Sequence, residues 1–535
     1  MLDPMGDRTL TDLLEERVAS DGERTFLVFE DREGAISEFT YRELHAKVER
    51  CAAGLAGLGV GQGDFVVVHL ANCPEFVIAW FAFARLGATL VPSNVANTGG
   101  ELEHILQVTE ARHVITEPAL LATVEDGIGR AGSGAAVVVV GGDGGEATTT
   151  FDDLLAATGD APRPNVGSRE VAELIFTSGT TRKPKAVMLT HANCLRAGLD
   201  AVHCLWLDEG ERCLTALPLF HVNAQAMSLL GVLTVGGTLI VVQEFRATKF
   251  WQQVRRHEAT QTCLVAMQLR TVLAQPPQED ERDHKVRRLF FAINVTDAEK
   301  ETFEERFGVT LINGYGLSEG MTLLTCSPIV GPRRWPSIGL PSPGRRLLLL
   351  DGEGNEVAPG EVGEIVAVGS PGRDIMLGYY KDDGSPGRDI MLGYYKDEEA
   401  TAAALRGDRL HTGDNAYADD EGYLYFFDRK KDMIKRAGEN VSAIEVEWVL
   451  IDHPKVAEAS VVGVPDDIRD EAVAAVVVQV EPDGVTAEEL IEHCRSRLSK
   501  FKVPTIITFA DELPKTSIGK VRKDELRKWL ESTTA

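Results

Sequence analysis

Apolar positions along this chain follow two spacings. Short unbroken apolar runs stand beside longer stretches in which apolar side chains recur every three or four residues. Phe65-Val-Val-Val-His-Leu70 reads as a strand buried on both faces. Pro74 to Leu86 reads as a helix, with Pro in its first turn and an apolar, aromatic face. Thr89 to Val91 is the next expected strand, then a helix over 99–108 and strands over 112–116 and 136–140. Repeated strand–helix alternation predicts a parallel sheet covered by helices. A connector rich in Pro, Gly and Asp, Thr158 to Gly167, interrupts it. Strands are then expected near 172–176, 212–216, 238–242, 261–265, 288–292 and 310–312, with helices between them.

Beyond about residue 340 the pattern changes to short strands and turns such as Asp351-Gly-Glu-Gly-Asn355, which predicts a β-subdomain. From about 430 onward a small α+β unit is expected. Its elements are a helix over 442–451, strands near 458–463 and 472–480, a helix over 486–498 and a last helix near 523–531. One stretch breaks the pattern. Gly369 to Asp382 recurs without change as Gly384 to Asp397, a period of 15 residues in two copies. A solenoid needs more copies, so this reads as a local tandem duplication tolerated as a surface insertion.

Composition narrows the function. The 535 residues carry 55 Lys+Arg against 82 Asp+Glu, a net charge of −27, which argues against a general nucleic-acid binder. It leaves room for a small anion held in a local basic or amide-lined pocket. The eight cysteines are scattered with no C-x-x-C pair, as expected for reduced thiols in a cytoplasmic protein. No signal-peptide core, no run of about 18 apolar residues and no C-terminal address are read, so no membrane span is expected.

The segment Leu174 to Asn193 carries the strongest chemical signal. A strand ends at Phe176 and releases the hydroxyl-rich loop Thr177-Ser178-Gly179-Thr180-Thr181. Small residues let backbone N–H groups approach phosphate oxygens, and Lys183 and Lys185 add positive charge. The common G-x-x-x-x-G-K-[ST] loop is absent, and on spacing alone a polar hairpin turn fits as well. A new strand and a helix capped by Thr190 are expected to follow.

Thr177 to Lys185 resembles the phosphate loop of the adenylate-forming superfamily of acyl-CoA synthetases, peptide-synthetase adenylation domains and luciferases. Asn313-Gly-Tyr-Gly-Leu-Ser-Glu319, His411-Thr-Gly-Asp414, Asp428 to Lys435, Gly438 to Ser442 and Pro514 to Lys520 resemble further motifs of that superfamily, in order. Within it the chain looks most similar to crotonobetaine/carnitine-CoA ligases, through Asn72 to Phe76, Arg333 to Gly339 and Ile468 to Ala472. The resemblance implies an α/β fold: a large multi-lobed N-terminal domain with a β-subdomain, residues 1–430, and a small mobile α+β C-terminal lid domain, residues 431–535.

It also implies a reaction. A carboxylate attacks the α-phosphate of ATP to give acyl-AMP and pyrophosphate, and CoA thiolate then displaces AMP. By resemblance the loop Thr177, Ser178, Gly179, Thr180, Thr181 and Lys185 holds the outer phosphates, and Glu319 ligates Mg²⁺, which prefers oxygen. Tyr315, flanked by Gly314 and Gly316, stacks on adenine, and Ser318 contacts the α-phosphate. Asn294 lies on the adenine side. Asp414 and Arg429 hold the ribose, Lys520 bridges carboxylate and α-phosphate, and His221 stands beside the acyl carboxylate. The lid turns about Lys431, presenting Lys520 in one pose and the segment that begins at Lys435 in the other. The expected partners are a small carboxylic acid, ATP and CoA, with no nucleic acid and with a homodimer left open.

The sequence departs from the family pattern at four places. Arg182 and Ala186 replace glycines, Phe291 to Thr296 lacks the usual Gly-Ala-Pro character, and the duplication has no counterpart. Asn223 stands where an acidic residue would meet a quaternary ammonium, so carnitine itself is not the expected substrate. Two other readings follow. One is an ATP-dependent diazotase that activates nitrite for an aromatic amine, and the other is an inactive nucleotide-binding homologue.

Overall fold

The computed structural model describes residues 5–142, 149–177, 184–292, 295–379, 404–429, 432–436, 439–466, 470–482, 484–498, 500–515 and 521–534. They form two compact units. The first is residues 1–295, 299–347 and 367–411, and the second is 296–298, 348–366 and 412–535.

Two sheets build the first unit. One has eight strands, in the order Gly378–Tyr379, Lys185–Thr190, Val171–Thr177, Thr89–Pro92, Phe65–His69, His113–Thr116, Ala136–Val139 and Thr149–Thr150. The other has nine, in the order Leu340–Pro341, Thr322–Cys326, Thr310–Leu317, Arg288–Ala292, Gln261–Val265, Arg212–Thr215, Thr238–Val242, Thr25–Glu30 and Ile36–Thr40. The apolar runs are explained by burial on both faces. Val66 and Val68 join the core that holds helices Tyr41–Gly57, Pro74–Leu86 and His191–Leu205, while Val67 faces the core under Gly99–Thr109 and Leu121–Ala131. In the nine-stranded sheet Leu239 and Val241 face the shared core, and Ile240 and Val242 face Phe250–Arg256 and Ala266–Leu273.

The pairing is not parallel throughout. Val171–Thr177 with Lys185–Thr190, Thr310–Leu317 with Thr322–Cys326, and Thr25–Glu30 with Ile36–Thr40 are antiparallel. Each pair is joined by a short connection, which cannot carry the crossover a parallel pair requires. The expected helices appear at Pro74–Leu86 and Gly99–Thr109. A capping box at Thr190 opens His191–Leu205, as its side chain accepts from the Asn193 N–H.

In the second unit, Glu439–Val441, Ile434–Arg436, Asp470–Gln479 and Val456–Asp466 pair in that order, with Ile506–Phe509 added to Asp470–Gln479. Val461, Val473, Ala475 and Val477 face helices Ala443–Ile451 and Ala487–Arg495. Val462, Val464, Ala474 and Val476 face Lys523–Thr534. A second sheet pairs Arg346–Leu350, Gly363–Val368, Arg409–Ala418 and Leu424–Arg429, the β-rich stretch expected past residue 340. Among the described residues no helix is long and apolar enough to cross a membrane. All eight cysteines are free and buried.

Residues 369–379, the described part of the first copy of the duplicated stretch, are built into the first unit. Thr190 Oγ1 donates to the Gly372 carbonyl at 2.7 Å, and Asn193 Nδ2 donates to the Ile375 carbonyl at 2.9 Å. Asp374 pairs with Arg196 at 3.2 Å, and Gly378 and Tyr379 extend the sheet beside Met188 and Val187. The second copy lies outside the described residues. Deleting Gly384 to Glu398 leaves every one of these contacts in place. Loop closure depends only logarithmically on length, so the shortened protein is expected to fold with a melting temperature within a few degrees of the parent. Circular dichroism melts check this, and loss of the folded state would show that the second copy is structural.

Candidate active site

The hairpin Val171–Thr177 and Lys185–Thr190 places the ends of the hydroxyl-rich loop. Its register sets Thr177 opposite Lys185 and Phe176 opposite Ala186. Helix Gly99–Thr109 holds the hairpin's mouth, since His104 Nε2 lies 3.0 Å from the Pro184 carbonyl and its ring meets Phe176 edge-on. Ser178, Gly179, Thr180, Thr181 and Arg182 lie outside the described residues.

The segment Asn313 to Glu319 is the end of a strand and a single 3₁₀ turn. Asn313 is buried, donates to the Ser337 carbonyl at 2.6 Å and accepts from Ser327 Oγ. Gly314 is required by close approach, because a Cβ there would lie 2.6 Å from the Thr325 carbonyl oxygen. The Tyr315 N–H donates to Thr325 Oγ1 at 3.2 Å, and a register shift follows between Tyr315 and Gly316. Ser318 and Glu319 occupy the turn. The Glu319 carbonyl accepts from the Met376 N–H at 2.7 Å, and the neighbouring Leu377 N–H donates to the Met188 carbonyl at 3.1 Å. The stretch after Gly369 therefore ties the Glu319 turn to the hairpin. Arg345 also holds this turn, donating to the Gly320 carbonyl at 3.1 Å and pairing with Asp200 at 2.7 Å. Both side chains of that pair are at most 3% exposed, where losing one partner typically costs about 3–5 kcal/mol.

His221 follows a turn in which its N–H donates to the Pro218 carbonyl. Its ring packs on Phe220 at 4.8 Å between centroids, and Nε2 is buried with no hydrogen-bond partner. Burial lowers its pKa from 6.5 to about 4, so the imidazole is neutral at physiological pH. Asn223 Oδ1 is a second buried acceptor without a partner. A π-helical turn, Ala224–Leu230, follows, a geometry often found at functional sites. In the second unit Asp414 is 5% exposed and stands directly opposite Arg429 on the paired strand. Lys435 lies on Ile434–Arg436, opposite Asn440. Asn294, Lys431 and Lys520 lie outside the described residues.

The structure also brings forward residues that motif reading passed over. Glu173 is fully buried in the strand that feeds the hydroxyl-rich loop, and Gln225 Nε2 donates to its Oε1 at 2.6 Å. Burial raises the Glu173 pKa from 4.5 to about 8. An acid inside the apolar run Ala172-Glu-Leu-Ile175 was the available signal.

Three comparisons with known proteins bear on what this chain is similar to. The AMP-binding enzyme family matches residues 14–380, and the AMP-binding enzyme C-terminal domain matches residues 445–520. The chain belongs to the AMP-binding enzyme family. It is 36% identical to the crotonobetaine/carnitine–CoA ligase of Proteus mirabilis, across 98% of this chain and 100% of that one. It is 34% identical to the enzyme of the same name from Salmonella enteritidis, over 98% and 100%. Among solved structures, the anthranilate CoA ligase AuaEII in complex with anthranoyl-AMP superposes with a TM-score of 0.86 at 26% identity, over 99% of this chain and 98% of that one. The O-succinylbenzoate coenzyme A synthetase of Bacillus subtilis with ATP and magnesium gives 0.80 at 27%, over 97% and 99%.

Glu173 makes stability depend on pH in a defined direction. Below about 4.5 the carboxyl is protonated whether the chain is folded or not, and its burial costs nothing extra. Between about 4.5 and 8 the unfolded chain releases the proton and the folded one keeps it, so stability falls as pH rises through that window. Glu173→Gln removes the term. Its melting temperature relative to the parent is expected to rise from pH 5 to pH 8 and then level off. A difference that stays flat over this range would show that Glu173 is ionised in the folded protein.

Proposed function

We infer that this chain is an ATP-dependent carboxylate–CoA ligase that works through an acyl-AMP intermediate. The observation that carries the reading is end-to-end similarity to CoA ligases combined with one tied unit of hairpin, Glu319 turn and connecting stretch. A carboxylate oxygen attacks the α-phosphorus, and the bond to the pyrophosphate oxygen breaks. The thiolate of CoA then attacks the acyl carbon, and AMP leaves with the electron pair. Both steps bring anions together, so the protein's task is to position them and offset charge.

The residue roles are proposals on the same footing. Thr177 to Thr181 and Lys185 hold the outer phosphates. Tyr315, between Gly314 and Gly316, stacks on adenine, with Asn294 on the same side. Ser318 contacts the α-phosphate, and Asp414 and Arg429 hold the ribose. Glu319 supplies a carboxylate oxygen for Mg²⁺, the ligand chemistry that ion prefers, and the bound ion offsets triphosphate charge. Neutral His221, with Nε2 unpartnered, offers a hydrogen-bonding group to the acid without adding charge. Lys520 serves adenylation, and a lid of residues 431–535 turns about Lys431 to bring the segment beginning at Lys435 into the second step. A cytoplasmic setting is supported by eight free, buried thiols. A homodimer is decided by light scattering on the purified protein.

The overall reading is tested by ATP–pyrophosphate exchange with crotonobetaine, carnitine, benzoate, anthranilate and o-succinylbenzoate, followed by CoA addition. Exchange with at least one acid and CoA-dependent AMP release are expected. Release of AMP with nitrite and an aromatic amine, but not with CoA, would overturn the ligase assignment. For the metal ligand, Glu319→Gln should lower pyrophosphate release on the order of 10²-fold and shift its Mg²⁺ dependence to higher concentration. Near-parental rates at limiting Mg²⁺ would remove Glu319 from that role. For the lid, Lys520→Ala should abolish acyl-AMP formation yet leave conversion of supplied acyl-AMP to thioester largely intact. Equal losses in both steps would contradict a division of labour between lid poses.

A further inference from the structure

His221 takes no orientation from a protein partner at Nε2. Its place is set by the backbone that carries it, and that backbone is held by two side chains from outside the turn. Asn72 brackets one side. Its Nδ2 donates to the Leu217 carbonyl at 3.0 Å and the Val242 carbonyl at 3.2 Å, and its Oδ1 accepts from the Leu219 N–H at 2.8 Å. Gln225 holds the other side. Its Nε2 donates to the Leu219 carbonyl at 2.9 Å and to Glu173 Oε1 at 2.6 Å, which uses both of its hydrogens. Its own N–H donates to the His221 carbonyl at 3.3 Å. Leu219, two residues before His221, thus has its N–H and its carbonyl each bound to a buried side chain.

We propose that Asn72, Gln225 and Glu173 are positioning residues for adenylation: they clamp Leu219 from both sides and so fix the His221 imidazole relative to the strand that feeds the phosphate loop. The proposal rests on the reading that His221 faces the acid. All three side chains are at most 5% exposed, so none of them is a candidate to touch substrate from solvent. Two acceptors in the network, Glu173 Oε2 and Gln225 Oε1, have no partner. Both belong to the same carboxyl–amide pair, and a proton on the carboxyl gives that pair the donor it otherwise lacks. Raised by burial, Glu173 holds that proton at neutral pH. The clamp therefore works as a neutral strut between Val171–Thr177 and the His221 turn. A carboxamide at position 173 has nearly the same shape and, like the protonated carboxyl, offers an acceptor on one side and a donor on the other.

The test is a double-mutant cycle on purified full-length protein. Initial pyrophosphate release is measured with whichever of the five acids above gives the fastest exchange. Gln225→Leu is expected to lower kcat about 10- to 100-fold with the KM for ATP within about twofold, as expected when positioning and not ATP binding is lost. Glu173→Gln should stay within about threefold of the parent. His221→Ala should lose at least as much as Gln225→Leu, and the double variant should be no worse than His221→Ala alone, since the clamp then has nothing to position. Losses that multiply in the double variant, with His221→Ala impaired, would overturn the clamp and leave the reading of His221 standing. An unimpaired His221→Ala would overturn that reading and the clamp with it. Should Gln225→Leu fail to fold by circular dichroism, Asn72→Asp enters the same cycle with the same expectations. It keeps the acceptor for Leu219 and loses both donations.

Discussion

Antiparallel pairing of Val171–Thr177 with Lys185–Thr190 is the constraint on which the first unit's chemistry depends. The ladder fixes where the hydroxyl-rich loop leaves and re-enters the sheet, Thr177 facing Lys185. Its outer strand receives Gly378 and Tyr379, and its last residue, Thr190, caps the following helix while donating to Gly372. Met376 and Leu377, adjacent in sequence, then bind Glu319 and Met188. A shift of one residue in this pairing would turn every side chain of the hairpin to the opposite face and break each of those links together.

Electrostatics set a second condition. A chain of net charge −27 handles a triphosphate and a carboxylate. Global charge opposes both, so attraction has to be local, and negative charge has to be kept away from the loop. Glu173 lies four residues before Thr177 in the same strand, about 13 Å along it at the usual strand rise. Full burial keeps that carboxyl protonated at neutral pH. The strand can therefore use an acid for hydrogen bonding without setting a charge behind the hydroxyl-rich loop. His221 is likewise kept neutral by burial.

Much of this was legible in the residue pattern, for physical reasons that also mark its limits. Strands such as Phe65–His69 and Thr238–Val242 stood out because both faces are buried. Val456–Asp466 and Asp470–Gln479 extend past the apolar runs that announced them, because their ladder continues through the non-apolar positions Pro465, Asp466 and Asp470. The edge strand Ile36–Thr40 has no fully buried residue and gave no such signal. At the site, motif residues such as Gly314 and Glu319 could be named because their chemistry is local. Asn72 stood out only as part of a resemblance and Glu173 only as an acid in an apolar run. Their contacts, like those of Gln225 and Arg345, could not be read, since each acts on groups that only the fold brings near. Asn72 and Leu219 are 147 positions apart.

The buried cysteines have a consequence for an enzyme that makes activated acyl groups. Acyl-AMP and acyl-CoA both acylate accessible thiolates, and a surface thiol would compete with CoA for the adenylate or draw the product back by thioester exchange. Here every cysteine is buried, and burial pushes the thiols at Cys73 and Cys194 well above their ordinary range and that at Cys494 up to about 11. Packing thus withholds the protein's own sulfur nucleophiles from its intermediate and its product, and disfavours self-acylation through cysteine.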